Sequence, residues 1–137
     1  MIAYTTVGAG DIARGTVLFR VPASPGYAVE EGPAGLRYTL PANPGQPPAL
    51  PDYYVKPPFG GRPASAGNGS MTAFEERTQK QVREPHAAAL LAGGSDEGQP
   101  GFRADYGPLF YVGYLRGAQG NKIAHFSSNP NEPGRDG

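Results

Sequence analysis

The sequence contains no cysteine, which excludes a disulfide, a thiolate nucleophile, an iron–sulfur cluster and a cysteine zinc site. Histidine is almost as scarce: His86 and His125 are the two imidazoles available for acid–base or ligand work. A surplus of either charge is missing too, because twelve Lys and Arg balance twelve Asp and Glu, and charged residues make up 18% of the chain. Without a basic surplus there is no electrostatic footprint for nucleic acid or an anionic membrane surface. No apolar run approaches the roughly 20 residues that cross a bilayer, and the opening residues lack the basic start of a secretory leader. A soluble, cytoplasmic protein is therefore expected. The Gly-x-Ser-x-Gly elbow is absent, and Gly8-Ala9-Gly10 lacks the third glycine of a dinucleotide-binding turn.

Glycine and proline are abundant instead, at 21 and 16 residues, a share at which disorder has to be considered. Eight Tyr and six Phe argue against it, since they are enough to cover a sheet. At 137 residues the chain is the size of one domain, or of two very small modules sharing a core.

Residues 2–7 form a β-favouring run, and Asp11 stands as an N-cap for a helix over residues 11–19 that Pro22 stops. Residues 27–31 and 36–40 read as a hairpin across Gly32-Pro33-Ala34-Gly35, and residues 53–55 as a short strand after the Pro/Gly-rich stretch 41–51. After a connector the order begins again with a strand over 70–74 and a helix over 78–92. Thr78 caps that helix, Val82, His86, Ala89 and Leu90 share one face, and Gly93-Gly94 closes it. Pro85 is expected to kink the helix or to begin a shorter one. Residues 95–101 read as a loop, 102–106 as a strand, 109–116 and 122–127 as a hairpin, and the residues after Ser128 are expected to fray. The order strand–helix–strand–strand–strand thus occurs twice. It predicts an α+β protein with an N-terminal module over 1–66, a C-terminal module over 67–128 and a flexible tail over 129–137.

This doubled βαβββ order resembles the vicinal oxygen chelate superfamily, which includes glyoxalase I, extradiol dioxygenases and bleomycin-resistance proteins. The motifs that carry the likeness are Gly67-Asn68-Gly69-Ser70-Met71-Thr72-Ala73-Phe74, a helix ending in Ala92-Gly93-Gly94, Phe110-Tyr111-Val112-Gly113-Tyr114, and Gly120-Asn121-Lys122-Ile123. The resemblance implies a curved mixed sheet with a concave cavity and helices outside. In catalytic members the cup holds a divalent metal through up to four His, Glu or Gln side chains. Carried over residue by residue, those positions fall on Tyr4, Tyr54, Met71 and Ala124, and none of these is an ordinary ligand for such an ion.

The resemblance therefore implies a metal-free, cofactor-free cup in which Tyr4, Tyr54, Met71 and Ala124, with Arg116 at the mouth, bind a small, partly apolar or aromatic molecule. No catalytic residue is assigned. One alternative is a glyoxalase-like lyase or isomerase, or a dioxygenase-type metalloenzyme, with non-standard ligands or with Tyr4 as acid–base. Another is a non-catalytic structural or interaction protein whose own side chains fill the cup. A homodimer is expected because open sheet edges are best covered by a partner; neither nucleic acid nor membrane is expected as one. By strand alternation His125 points away from the Ala124 side, and His86 lies against the sheet. Glu75 and Glu76 are expected in a solvated turn, and Asp105 in a surface pair, with the mouth of the cup as the alternative.

Overall fold

The computed structural model describes residues 1–10, 27–33, 35–40, 44–47 and 49–137. In chain order these form β1 (Tyr4–Gly8), β2 (Ala28–Gly32), β3 (Gly35–Leu40), β4 (Ala49–Lys56), β5 (Thr72–Glu75), α1 (Gln79–Leu91), β6 (Ser95–Phe102), β7 (Tyr111–Arg116) and β8 (Lys122–Ser127). The strands make two four-stranded mixed sheets, ordered β1-β4-β3-β2 and β5-β8-β7-β6. In each sheet the first strand of the module runs parallel to its last, and the other pairs are antiparallel. The protein is α+β and repeats one topology twice, as its element order predicts. The helix expected over residues 11–19 lies outside the described residues.

The β2–β3 hairpin turns at Gly35, whose φ is +121°. A side chain there would also collide with the Val55 carbonyl of the neighbouring strand, so only glycine fits. In the second module Thr78 caps α1, its hydroxyl accepting the Gln81 N–H at 3.1 Å. The helix runs from Gln79 through Pro85 to Leu91, so Pro85 does not begin a shorter one. A helical proline forfeits one backbone hydrogen bond at a cost of about 3 kcal/mol. Burial of Val82, Pro85, His86 and Ala89 opposes that cost.

The largest departure from expectation is β6. Residues 95–101 read as a loop and 102–106 as a strand, yet the strand is Ser95–Phe102 and residues 104–106 turn. Its sequence has little β propensity, but it lies at the edge of the sheet and pairs with β7 alone. Register shifts on either side of Gly98 place Pro100 in an irregular stretch that does not need its missing N–H. The Pro/Gly-rich stretch also contributes more strand than expected, because β4 begins at Ala49 and passes through Pro51 where its register with β3 shifts.

Alternation sorts each sheet into two faces. Leu36, Tyr38, Tyr53 and Val55 from the first sheet join Phe74, Leu115 and Ile123 from the second, and Ala89 of α1, in one buried cluster. Tyr53 and Phe74 meet edge to face at 5.3 Å across the seam. Fully burying side chains of the size of Leu115 or Ile123 contributes about 1.5–3 kcal/mol each. Both sheets thus turn one face to a common core, and their opposite faces look outward. The C-terminal tail is tied to the second module: Glu132 accepts the Gln79 N–H at 2.8 Å at the start of α1, and the Arg135 N–H donates to the Pro108 carbonyl at 2.7 Å.

Candidate ligand site on the outward sheet faces

Tyr4 and Tyr54 share the outward face of the first sheet, their rings edge to face at 5.6 Å. Lys56 Nζ lies 5.5 Å from the Tyr54 ring centre, within reach of the negative face of the ring. Arg37 stands opposite Tyr54 in register and donates to Asp52 Oδ2 at 3.0 Å, with Glu30 at 3.6 Å. The Asp52 carboxylate, through that hydrogen bond, raises the Arg37 pKa above its ordinary value. Arg37, Tyr54, Lys56, Glu30 and Gly35 border a hollow of about 240 Å³. Tyr4 remains 62% exposed, too open for a core residue.

Ala124 and Arg116 occupy the outward face of the second sheet. Ala124 is only 1% exposed; Tyr114 faces it across the ladder, and Lys122 and Phe126 flank it on β8. Its methyl forms the floor, and its neighbours present the contact surface. Arg116 donates to Glu97 Oε1 at 2.7 Å and to the Gly120 carbonyl at 2.8 Å. Arg103 Cζ and Lys122 Nζ lie 5.5 and 5.3 Å from the Tyr114 ring centre. Burial raises the Tyr114 phenol above its usual pKa, Tyr106 adds to the rise and Arg103 opposes it. Met71 precedes β5, is 47% exposed, and borders a second hollow of about 240 Å³ with Ile2, Thr5 and Tyr53.

The structure therefore brings Tyr4 to Tyr54 on one sheet, sets Ala124 and Arg116 on the other, and leaves Met71 at the seam. Two phenols, a thioether and a methyl, which stand at the positions that the resemblance assigns to metal ligands, are not ordinary donors for a divalent ion. Among the described residues, no three His, Asp or Glu side chains gather elsewhere. A larger hollow, about 520 Å³, lies at the far ends of β5 and β8 beside Glu75, Arg77 and Asn129, and touches none of the five residues above.

Both histidines lie on the core side. His125 is buried, its Nδ1 2.9 Å from Glu76 Oε1 and its ring stacked on Phe74 at 5.5 Å. Glu76 is buried as well, which corrects its placement in a solvated turn; Glu75 is exposed. The signal was available, because Glu76 stands two residues after the core residue Phe74 and so continues the same inward alternation. His86 Nε2 lies 3.1 Å from both Asp96 Oδ1 and the Tyr114 carbonyl. Both partners are acceptors, so this nitrogen carries the proton and pins α1 to β6 and β7. Asp105 lies in an exposed turn. Arg103 and Lys122 are the outward-facing residues that sequence reasoning missed, although Lys122 sits two positions before Ala124 on the same face.

Comparison with known proteins agrees with this architecture. No protein-family model and no curated protein matches the sequence. Among solved structures, a glyoxalase/bleomycin resistance protein from Albidiferax ferrireducens is 27% identical, with a TM-score of 0.75 over 93% of this chain and 98% of that one. A glyoxalase/bleomycin resistance protein/dioxygenase family enzyme from Burkholderia phytofirmans is 14% identical, with a TM-score of 0.64 over 92% and 97%. A genomically encoded fosfomycin resistance protein from Listeria monocytogenes is 8% identical, with a TM-score of 0.63 over 95% and 94%.

Proposed function

Because this chain has the fold of the vicinal oxygen chelate superfamily, we propose that it binds a small, partly aromatic or apolar molecule against the outward faces of its sheets, without a metal, and that two copies together close the site. The observation that carries this reading is the exposure of Tyr4 and Met71, two residues that the resemblance assigns to the ligand side of the fold. Large apolar side chains left in water gain by being covered, whether by a ligand or by a second chain.

The size of the hollows supports a second copy. Each is about 240 Å³, below the roughly 300 Å³ at which small-molecule pockets begin. With one face of each sheet committed to the core, a second chain is the natural source of the remaining wall. In a homodimer, the first sheet of one protomer opposite the second sheet of its partner supplies it. The glyoxalase/bleomycin resistance name borne by the Albidiferax protein agrees with small-molecule work of this kind. A soluble, cytoplasmic location completes the reading; among the described residues no helix is long and apolar enough to cross a membrane.

Sedimentation equilibrium and calorimetric titration with a panel of small aromatic compounds test the proposal. The expected result is a dimer that binds at least one compound equally well with and without EDTA, with Tyr54→Ala weakening that binding about tenfold through loss of ring contact. A strictly monomeric chain that binds none of the panel, or stoichiometric metal needed for binding, overturns it.

A further inference from the structure

We propose that the ligand of this site is an anion, and that Arg103 and Lys122 hold its carboxylate, phosphate or phosphonate group beside Tyr114 on the outward face of the second sheet. This rests on the binding reading above and names the chemical class it takes. Three cations cluster there, Arg103, Lys122 and Arg116, and Glu97 neutralises Arg116. Among the described residues neither Arg103 nor Lys122 has a carboxylate within 4 Å, in contrast with Arg37 on the first sheet, which has two acids.

Arg103 is already held in place. Its Nη2 donates to the Gln99 carbonyl at 2.7 Å and its Nη1 to the Phe102 carbonyl at 3.4 Å. The guanidinium lies over Gly98, where an added Cβ would come within 3.1 Å of Nη2. Among the described residues these bonds use two of its five N–H donors and leave the others for a ligand. The Tyr114 ring attracts both cations but does not neutralise their charge. An anion beside the ring meets this positive charge and makes charge-assisted hydrogen bonds. Beside them Tyr114 and Phe126 offer ring surface, and Phe126 is itself stacked on Phe110 at 5.2 Å. The combination selects an acid with an aromatic or apolar body. The chain as a whole is neutral, so the field is local and suits a small anion better than a polyanion.

Titration of ¹⁵N-labelled protein with benzoate, phenylphosphonate and neutral benzyl alcohol separates the possibilities. Saturable shifts of the Tyr114, Lys122 and Ala124 amides with either acid, at least tenfold tighter than with benzyl alcohol, support the proposal, and the tighter acid identifies the class. Lys122→Met and Arg103→Gln are each expected to weaken the acids about tenfold, and added salt to weaken them further. Thermal melting confirms that both variants fold, and Lys80→Met, which removes an exposed cation paired with Glu84 on α1, leaves binding unchanged. Benzyl alcohol binding as tightly as the acids overturns the anion assignment and leaves the small-molecule reading intact. Acids that bind Lys122→Met and Arg103→Gln as they bind the unaltered protein place the anion elsewhere and overturn the site. Failure of all three probes to bind overturns both readings.

Discussion

The two modules share a topology but fill it differently, and the register of their sheets shows how. Val7, Val55 and Leu36 form one inward row of the first sheet, and Phe74, His125 and Gly113 the corresponding row of the second. The first row is aliphatic. The second replaces it with an aromatic ring, a buried imidazole and no side chain at all. Glycine makes the room: a Cβ on Gly113 would come within 3.0 Å of Pro100 and 3.3 Å of His86. Glu76 supplies the polar partner at 2.9 Å from His125. One scaffold thus accepts an oily row or a hydrogen-bonded pair, provided that volume is matched. On the outward face, Tyr114 stands where Arg37 stands in the first sheet, and Ala124 where Tyr54 does. Aromatic and cationic side chains have changed strands: Arg37 of the first sheet lies beside Asp52 and Glu30, whereas the position opposite Ala124 in the second holds the Tyr114 ring.

The comparison breaks most severely at the buried pair. Glu76→Ala leaves the His125 Nδ1–H without an acceptor in the core and is expected to cost about 3 kcal/mol in urea unfolding. Truncation in the aliphatic row, Val55→Ala, costs about 2 kcal/mol by lost burial and a small cavity. If Glu76→Ala costs less than Val55→Ala, the polar row does not organise the second module. Gly113→Ala sharpens the argument about volume, because Pro100 and His86 have to give way; about 1–2 kcal/mol of destabilisation is expected from the same measurement. A neutral Gly113→Ala would show that the room is not needed.

The smallest effect concerns the pH response of the second module. The Gly98 N–H, at 3.0 Å, is the main cause holding Asp96 below the usual carboxylate range; the Gln99 side chain and His86 add to it against a counteracting desolvation. A depressed carboxylate contributes stability that is present above its unfolded value near 4 and is lost as pH falls through its folded value. Unfolding midpoints of the protein and of Asp96→Asn are therefore expected to differ at pH 6 and to converge towards pH 3. A gap that stays constant over that range would exclude Asp96 as the source.

Parts of this fold are legible in the residues. The limits of β8 match its β-branched and aromatic run, the β7–β8 turn follows its glycines, and Thr78 caps α1 because its hydroxyl sits one residue before a helical pattern. These are local effects that depend on neighbours a few positions away. The polar strand β6 is not legible, since what makes Ser95–Phe102 a strand is the edge of β7 beside it. The burial of Glu76 is only half legible: alternation points it inward, but the partner that permits its burial lies 49 residues further on. On the outward faces, Tyr4 and Tyr54 come together because alternation on two paired strands puts them on one side, whereas Arg103 comes from the loop after β6 and reaches Tyr114 only through the turn of that loop.

The sequence by itself determined the chemical inventory: no thiol, two imidazoles, balanced charge, a doubled order of elements, and a supply of phenol, thioether and methyl groups on its strands. Only the tertiary structure decided that both imidazoles face the core, that the Ala124 methyl is covered, and that Arg103 and Lys122 stand beside one ring with no carboxylate within 4 Å among the described residues. The reason is physical. Which groups a chain contains is a property of its covalent structure, but burial and charge pairing depend on distances between residues that only folding brings together.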